Sequence, residues 1–292
     1  MRKSILEGLR SELLDRAPLS ALPTDVVGRA ATLNTWGSNA IAGNTLSLRD
    51  VEEVIHGDRT PGGHPVREVL ETVSHDQVWR GLFGRVEDPV NAATALELHA
   101  LTFYRLDIEA GMLRKVPRKG RAHPDYLIPM LRDWEEELLE RELTHADVFE
   151  TAAWMHSMLL ALHPFTDGNG RVARLLLGLQ LLKHNWPPVH LLPEDGKRYE
   201  AAITDGHSGD HVPLVAMIGE LMGRSLLLML DGIGGGDDEL MRVSELARDG
   251  PYTAKYLALR ASQGQLPAVK RGGRWWTSRR AVGLYRRDVG KD

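Results

Sequence analysis

The chain contains no cysteine. That excludes a disulfide framework, thiolate metal sites and a cysteine nucleophile, and it suits a reducing cytoplasm, which is the expected compartment. Residues 1–16 lack the uninterrupted apolar stretch of a signal peptide. Charged and apolar residues alternate there in a way that predicts a helix. The most apolar segment, residues 212–230, lacks the charge-free centre of a membrane span because Glu220 and Arg224 interrupt it. A buried helix is expected instead, and no membrane partner. There is no internal repeat and no low-complexity segment beyond one glycine-rich stretch. With 42% hydrophobic and 26% charged residues, neither a disordered nor a fibrous chain fits.

What is present is an uneven distribution of charge. From Met241 onward twelve Lys and Arg face four Asp and Glu, while residues 1–240 carry twelve more acids than bases. Such asymmetry points to different partners for the two parts, a polyanion for the tail. Between them runs GIGGGDD, a flexible polar stretch, which places a linker at residues 232–238, a body at residues 1–231 and a small module at residues 239–292. In the body, apolar residues recur at three- and four-residue spacing and period-two alternation is scarce. The body is therefore predicted to be all-α. One piece departs from this. Residues 113–123, LRKVPRKGRAH, lie between a helix expected to end near Ala110 and another from about Tyr126 to Glu142. A short hairpin turning at Lys119-Gly120 would fit, with Pro117 at an edge or a bulge.

The chemistry concentrates after residue 162. AAWMHSMLLAL has helical periodicity and must stop at His163-Pro164, since proline disfavours helical geometry in the residue before it. The loop that follows, HPFTDGNG, leads into a new helix around Arg171. Glycines on either side of Asn169 let backbone N–H groups converge at a helix N-terminus, a nest that favours phosphate oxygens. Arg171 and Arg174, one turn apart, suit a polyphosphate because each guanidinium makes planar bidentate contacts. Asp167 offers one hard oxygen ligand beside the phosphates, the way magnesium is usually held. His163 can accept a proton near neutral pH. His156, inside an apolar helix, is assigned a structural, hydrogen-bonded role, and no function is assigned to His99, His184 or His190.

HPFTDGNGRVAR resembles the signature HxFx(D/E)GNGRxxR of the Fic family, with every defined position filled. The resemblance spans roughly residues 32–218, with the core at about 90–220. It implies an all-α Fic-type helical domain with a short β-hairpin flap, and a protein adenylyltransferase that moves AMP from ATP, with Mg2+, to a Ser, Thr or Tyr hydroxyl of a target protein. His163 would be the general base, Asp167 the metal ligand, and Gly168, Asn169 and Gly170 the α-phosphate site. Arg171 would meet the β-phosphate side and Arg174 the γ-phosphate, with Phe165 anchoring the loop. Gly170 stands where phosphorylating members of the family have lysine, which argues for nucleotidyl transfer. GMLR at residues 111–114 resembles the GxYR that precedes the flap, with Leu113 departing from the aromatic. Leu113, Val116 and Arg118 belong to the segment that would dock an extended part of the target. Tyr199 matches an aromatic near the base pocket.

WGSNAIAGNTLSL resembles the family's inhibitory helix, (S/T)xxxE(G/N), through Ser38, Gly43 and Asn44. Ala42 stands where the glutamate that pairs with the second motif arginine is expected. Either the natural protein lacks this brake or the alanine is a substitution that releases it; the otherwise intact pattern favours the second. Residues 241–287 resemble winged helix-turn-helix domains, with helices at 243–248 and 253–262 and a wing turning at Gly272-Gly273. This implies a small C-terminal winged-helix domain whose partner is DNA or a protein. The rival readings are another nucleotidyl or phosphate-ester transfer, phosphocholine transfer included, and a nucleotide-sensing DNA-binding regulator. The intact His163 counts against the last. Oligomeric state is open, a homo-oligomer included.

Overall fold

The structure is a computed structural model of the chain, and it describes residues 1–57, 61–248 and 250–290. Asp249, Lys291 and Asp292, three of the tail charges counted above, lie outside the described residues. Among the described residues the α-helices of the first part are α1 Lys3–Arg16, α2 Thr24–Ile41, α3 Leu48–His56, α4 Val66–Gly81, α5 Ala92–Phe103, α6 Leu127–Leu143, α7 Val148–Leu162, α8 Asn169–Lys183, α9 Gly196–His207 and α10 Val212–Ile233. After them come β1 Met241–Arg242, α11 Val243–Leu246, α12 Ala254–Ser262, β2 Val269–Arg271, β3 Arg274–Thr277 and α13 Arg279–Asp288. The chain forms two compact units, residues 31–215 and residues 1–30 with 216–292.

In the first unit α7 and α8 pack on each other, α6 and α9 flank α7, and α5 packs on α8. Sequence explains the order. α8, NGRVARLLLGLQLLK, is apolar on nearly every side and buries residues all along its length, as only a central helix does. α7 starts where the Asp147 carboxylate accepts from the N–H groups of Phe149 and Glu150, a cap for amides that have no intrahelical partner. It ends at His163, whose backbone is left-handed at φ 51° and ψ 58°. The Trp134 indole of α6 donates to Met155 O at 3.1 Å and holds α6 along α7.

The 113–123 segment differs from the hairpin expected. Among the described residues the only strands lie beyond residue 240, and 113–123 runs without a ladder. Two residues explain it. Pro117 has no N–H to give. Arg114, 2% exposed, takes the carbonyls instead, its guanidinium donating to Val116 O at 3.2 Å, Ala122 O at 2.5 Å and His163 O at 2.8 Å. The helix before it, α5, also stops at Phe103, earlier than Ala110, and residues 104–111 form turns.

In the second unit the three strands are ordered β1-β3-β2, all antiparallel. Gly272 and Gly273, at φ +54° and +74°, close the β2–β3 hairpin with the positive φ pair that a two-residue hairpin turn needs. Ile5 of α1 shares a core with Val243, Tyr252, Leu257, Leu266 and Tyr285. Residues 1–30, which chain order puts with the body, thus pack with the tail, and α1 lies against α13. Asp238, at the end of the glycine stretch, is fully buried and ion-paired with Arg16 and with Arg280, the latter at 2.8 Å. α10 is long and apolar enough to cross a membrane by length and composition, and 61% of its most apolar window is buried within the protein.

Candidate active site

The loop from His163 to Gly168 is shaped from within. Asn169 Nδ2 donates to Phe165 O at 2.8 Å, and its Oδ1 accepts from Phe165 N–H at 2.9 Å, so the side chain closes the loop into a ring. It is 4% exposed and both polar ends are engaged. The side chain is thus spent on holding the loop. The first intrahelical bond of α8 runs from Val172 N–H to Gly168 O, which leaves the amides of Asn169, Gly170 and Arg171 without helical partners. Gly168 sits at φ +77°, and a Cβ there would lie 2.3 Å from the Phe103 ring. Both facts require glycine.

Phe165, 1% exposed, stacks on His99 with ring centroids 4.0 Å apart, and His99 also stacks on Phe103. His99 does more than pack. Gly111 N–H donates to its Nδ1 at 2.8 Å, and its Nε2 lies 3.2 Å from Asp167 O. Burial pushes its pKa down, in keeping with a neutral ring that accepts at one nitrogen and donates at the other. Asp167 is exposed; one oxygen accepts from Gly168 N–H at 2.7 Å, and the other lies 3.2 Å from Arg67 and 3.5 Å from Arg171.

Arg171 and Arg174 are both held. Arg171, 4% exposed, pairs with Glu71 of α4 at 3.0 Å and lies over the Phe103 ring. Arg174 donates from Nε to Ser38 Oγ at 2.9 Å and from Nη2 to Ser38 O at 2.8 Å. Ser38 belongs to the last turn of α2, which Gly43 closes at φ +98°, while exposed Ala42 presents only a methyl group. Asn44 packs behind, with Nδ2 3.1 Å from Glu68 O and 3.4 Å from Glu71. A Cβ on Gly170 would sit 2.9 Å from Arg174 Nη1, so a larger residue there displaces the arginine.

Tyr199 does not offer a face to a nucleobase. It is 6% exposed, its hydroxyl lies 2.7 Å from His156 Nε2, and its ring lies beside Arg174. His156 Nδ1 in turn lies 2.9 Å from Ala173 O, which makes Nε2 the acceptor for the tyrosine. His156 is thus fully buried with both ring nitrogens engaged.

His163 Nε2 lies 2.7 Å from Arg118 Nη1 and 3.5 Å from Asn169 Nδ2. Arginine can only donate, so Nε2 is the acceptor and the ring is neutral. Half-burial, then the charges of Arg121, Arg118 and Arg114, lower its pKa to about 4. Val116, two residues before Arg118, is 69% exposed, and Leu113 is partly buried. His163, Asp167, the α8 amides, Arg171 and Arg174 are thus brought into one place with the 113–123 segment over it. Three contributors were not singled out from sequence, His99, Arg67 and Glu71, and Arg114 was read only as the end of the GMLR match. A lone histidine and a helical Arg and Glu carry no local signal of their partners.

The Fic/DOC family profile matches residues 89–181. Protein adenylyltransferase fic-1 of Caenorhabditis elegans is 31% identical over 218 residues, 72% of this chain and 43% of its own length. Protein adenylyltransferase Fic of Nematostella vectensis is 25% identical over 72% of this chain and 51% of its own. The chain therefore spans about half the length of these curated relatives, or less. A solved structure of Fic-1 from C. elegans, residues 134–508, superposes with a TM-score of 0.69 at 30% identity, covering 80% of this chain and 72% of that one. With the motif loop, its supporting helices and these likenesses in agreement, this chain belongs to the Fic/DOC family.

Proposed function

We propose that the chain transfers AMP from ATP to a Ser, Thr or Tyr hydroxyl of a target protein. The observation that carries this is a neutral histidine, His163, held at the mouth of a loop whose helically unpartnered amides and two arginines sit on one helix start. Phosphate oxygens of ATP bind the amides of Asn169, Gly170 and Arg171, and Arg171 and Arg174 take the β- and γ-phosphates. The target hydroxyl gives its proton to Nε2 of His163 as its oxygen bonds to the α-phosphorus, and the bond to pyrophosphate breaks. The two arginines stabilise the charge that gathers on the departing pyrophosphate. Asp167, a single exposed carboxylate beside the amides, fits a magnesium ion held otherwise by phosphate oxygens, and no cluster of three metal-ligating side chains occurs among the described residues. When bound, magnesium neutralises phosphate charge. Ala42 leaves Arg174 free of a carboxylate partner on α2, which makes the chain derepressed.

The test is incubation of the purified chain with ATP labelled at the α- or the γ-phosphate. Label from α and none from γ on the chain or on lysate proteins is expected. Label from γ alone means phosphoryl transfer and sinks the proposal. His163→Ala should bind ATP nearly as well and transfer none. For the tail, the hairpin tip exposes Lys270, Arg271 and Arg274 next to a helix-turn-helix pair, which supports DNA as a partner.

A further inference from the structure

Residues 113–123 contain five basic residues and no acid. Their roles divide. Arg114 faces inward and staples the segment to the loop, through its guanidinium bond to His163 O and its backbone N–H to Pro164 O at 2.9 Å. The other four do not serve the fold in this way. Lys115, Arg118 and Lys119 are exposed and Arg121 is half-buried, its Nη1 3.3 Å from Ala161 O. None of the four has a carboxylate partner among the described residues; the nearest acid along the chain, Asp125, is turned to His123 at 3.3 Å. A run of unpaired cations over a catalytic loop is complementary to an anionic chain.

One of these cations sits on the base itself. Arg118 Nη1 is 2.7 Å from Nε2 of His163, and a guanidinium N–H directed at that nitrogen uses the lone pair that must take the hydroxyl proton. The base works only after Arg118 has moved. An anion has to draw Arg118 away, and an acidic target can bring one beside its own hydroxyl. A carboxylate is the side chain suited to it, because it accepts both N–H groups of the guanidinium fork.

We infer that the 113–123 segment selects an acidic stretch of the target protein, and that a carboxylate of this stretch takes Arg118 and uncovers His163 for the neighbouring hydroxyl. This rests on the AMP transfer proposed above. It names the substrate class as Ser, Thr or Tyr flanked by Asp or Glu. The docking half stands on the surface, and the uncovering half on the Arg118 contact.

Fluorescein-labelled twelve-residue peptides with one central threonine, flanked by Glu, by Gln or by Lys, separate the possibilities with the full chain. By anisotropy the Glu peptide should bind about tenfold tighter than the Gln peptide, from several exposed charge pairs acting together. Lys115→Gln with Lys119→Gln should narrow that ratio to about threefold or less. Equal binding of Glu and Gln peptides, or an acid preference that the double variant leaves intact, overturns the docking half whatever the transfer assay gives. A DNA oligonucleotide that displaces the Glu peptide at equal charge, with the same dependence on Lys115 and Lys119, also overturns it, since the surface would then take any polyanion. With labelled ATP, the Glu peptide should be modified at least about tenfold faster than the Gln peptide at low concentration, and Arg118→Gln should speed the Gln peptide while slowing the Glu peptide. Equal slowing of both would mean that Arg118 only supports the site, and it overturns the uncovering. Acid-selective binding with no label on any peptide supports the docking and counts against AMP transfer.

Discussion

At the scale of single residues the site is a set of committed partners. His163 is the clearest case, because its protonation state follows from burial and from three guanidiniums. Its pKa of about 4 lies below the ordinary histidine value of 6.5, so the ring stays neutral and able to accept a proton through the mildly acid range. The sign of the arginine effect gives an expected outcome. Arg118→Gln removes one of the cations that oppose the imidazolium, so the pKa should rise, yet stay below 6.5 because burial, the largest cause, persists along with Arg121 and Arg114. An NMR titration of the imidazole protons in the nucleotide-free chain, assigned with His163→Ala, checks this. An unchanged or lower value would mean that Arg118 does not act on the ring. The residues of the loop were legible in sequence because all of them lie within a dozen positions and each has a distinct chemistry. His99 was not, for its meaning comes from two backbone groups, Gly111 N–H and Asp167 O, that only the fold brings to it.

Position 42 is the second residue-scale case. Ser38 already binds Arg174 through its hydroxyl and carbonyl, and residue 42 lies four positions later, just past the end of α2. A carboxylate there would add a charge-assisted pair worth about 2 kcal/mol. Arg174 would then be drawn from the γ-phosphate, and misplacement of the nucleotide by about 1 Å can lower the rate roughly 100-fold. Ala42→Glu should therefore silence self-labelling with ATP while circular dichroism stays unchanged. Labelling as fast as in the parent would show that residues 38–44 are an ordinary helix end.

At the scale of elements, helices read well and the flap did not. Apolar spacing located α7 and α8 and the break between them, and Gly272-Gly273 located the β2–β3 hairpin, since in both cases the determining residues are local. In the 113–123 segment a plausible Lys119-Gly120 turn suggested strands, and the outcome was decided by one buried arginine that binds three carbonyls. That makes Arg114 the element's fastening. Arg114→Leu leaves Val116 O, Ala122 O and His163 O without their donor and frees the segment from the loop. Trypsin should then cut after Lys115 and Lys119 at least about tenfold faster than in the parent, as expected when local opening costs less. Equal cleavage rates would show that the segment is held by something else.

At the scale of the whole molecule, the grouping of α1 with the tail is what chain order hides. α1 has apolar residues at Ile5, Leu6, Leu9 and Leu13, all at most 1% exposed, a stripe that says the helix is covered without saying by what. In the structure Ile5 joins the Tyr252, Leu257 and Tyr285 core, and Arg2 pairs with Asp288 at 2.6 Å. The glycine stretch looks like a place to cut the chain, yet truncation after Leu230 would strip α1 of α13 and of that core. It would also remove Asp238 from Arg16. Fully exposing one large aliphatic side chain costs about 1.5 to 3 kcal/mol, so even partial exposure of α1 consumes much of a domain's usual margin of about 5 to 15 kcal/mol. The truncated chain should aggregate or melt well below the parent in a thermal scan. A chain cut after Leu230 that melts like the parent and stays monomeric would show that α1 needs no cover from the tail.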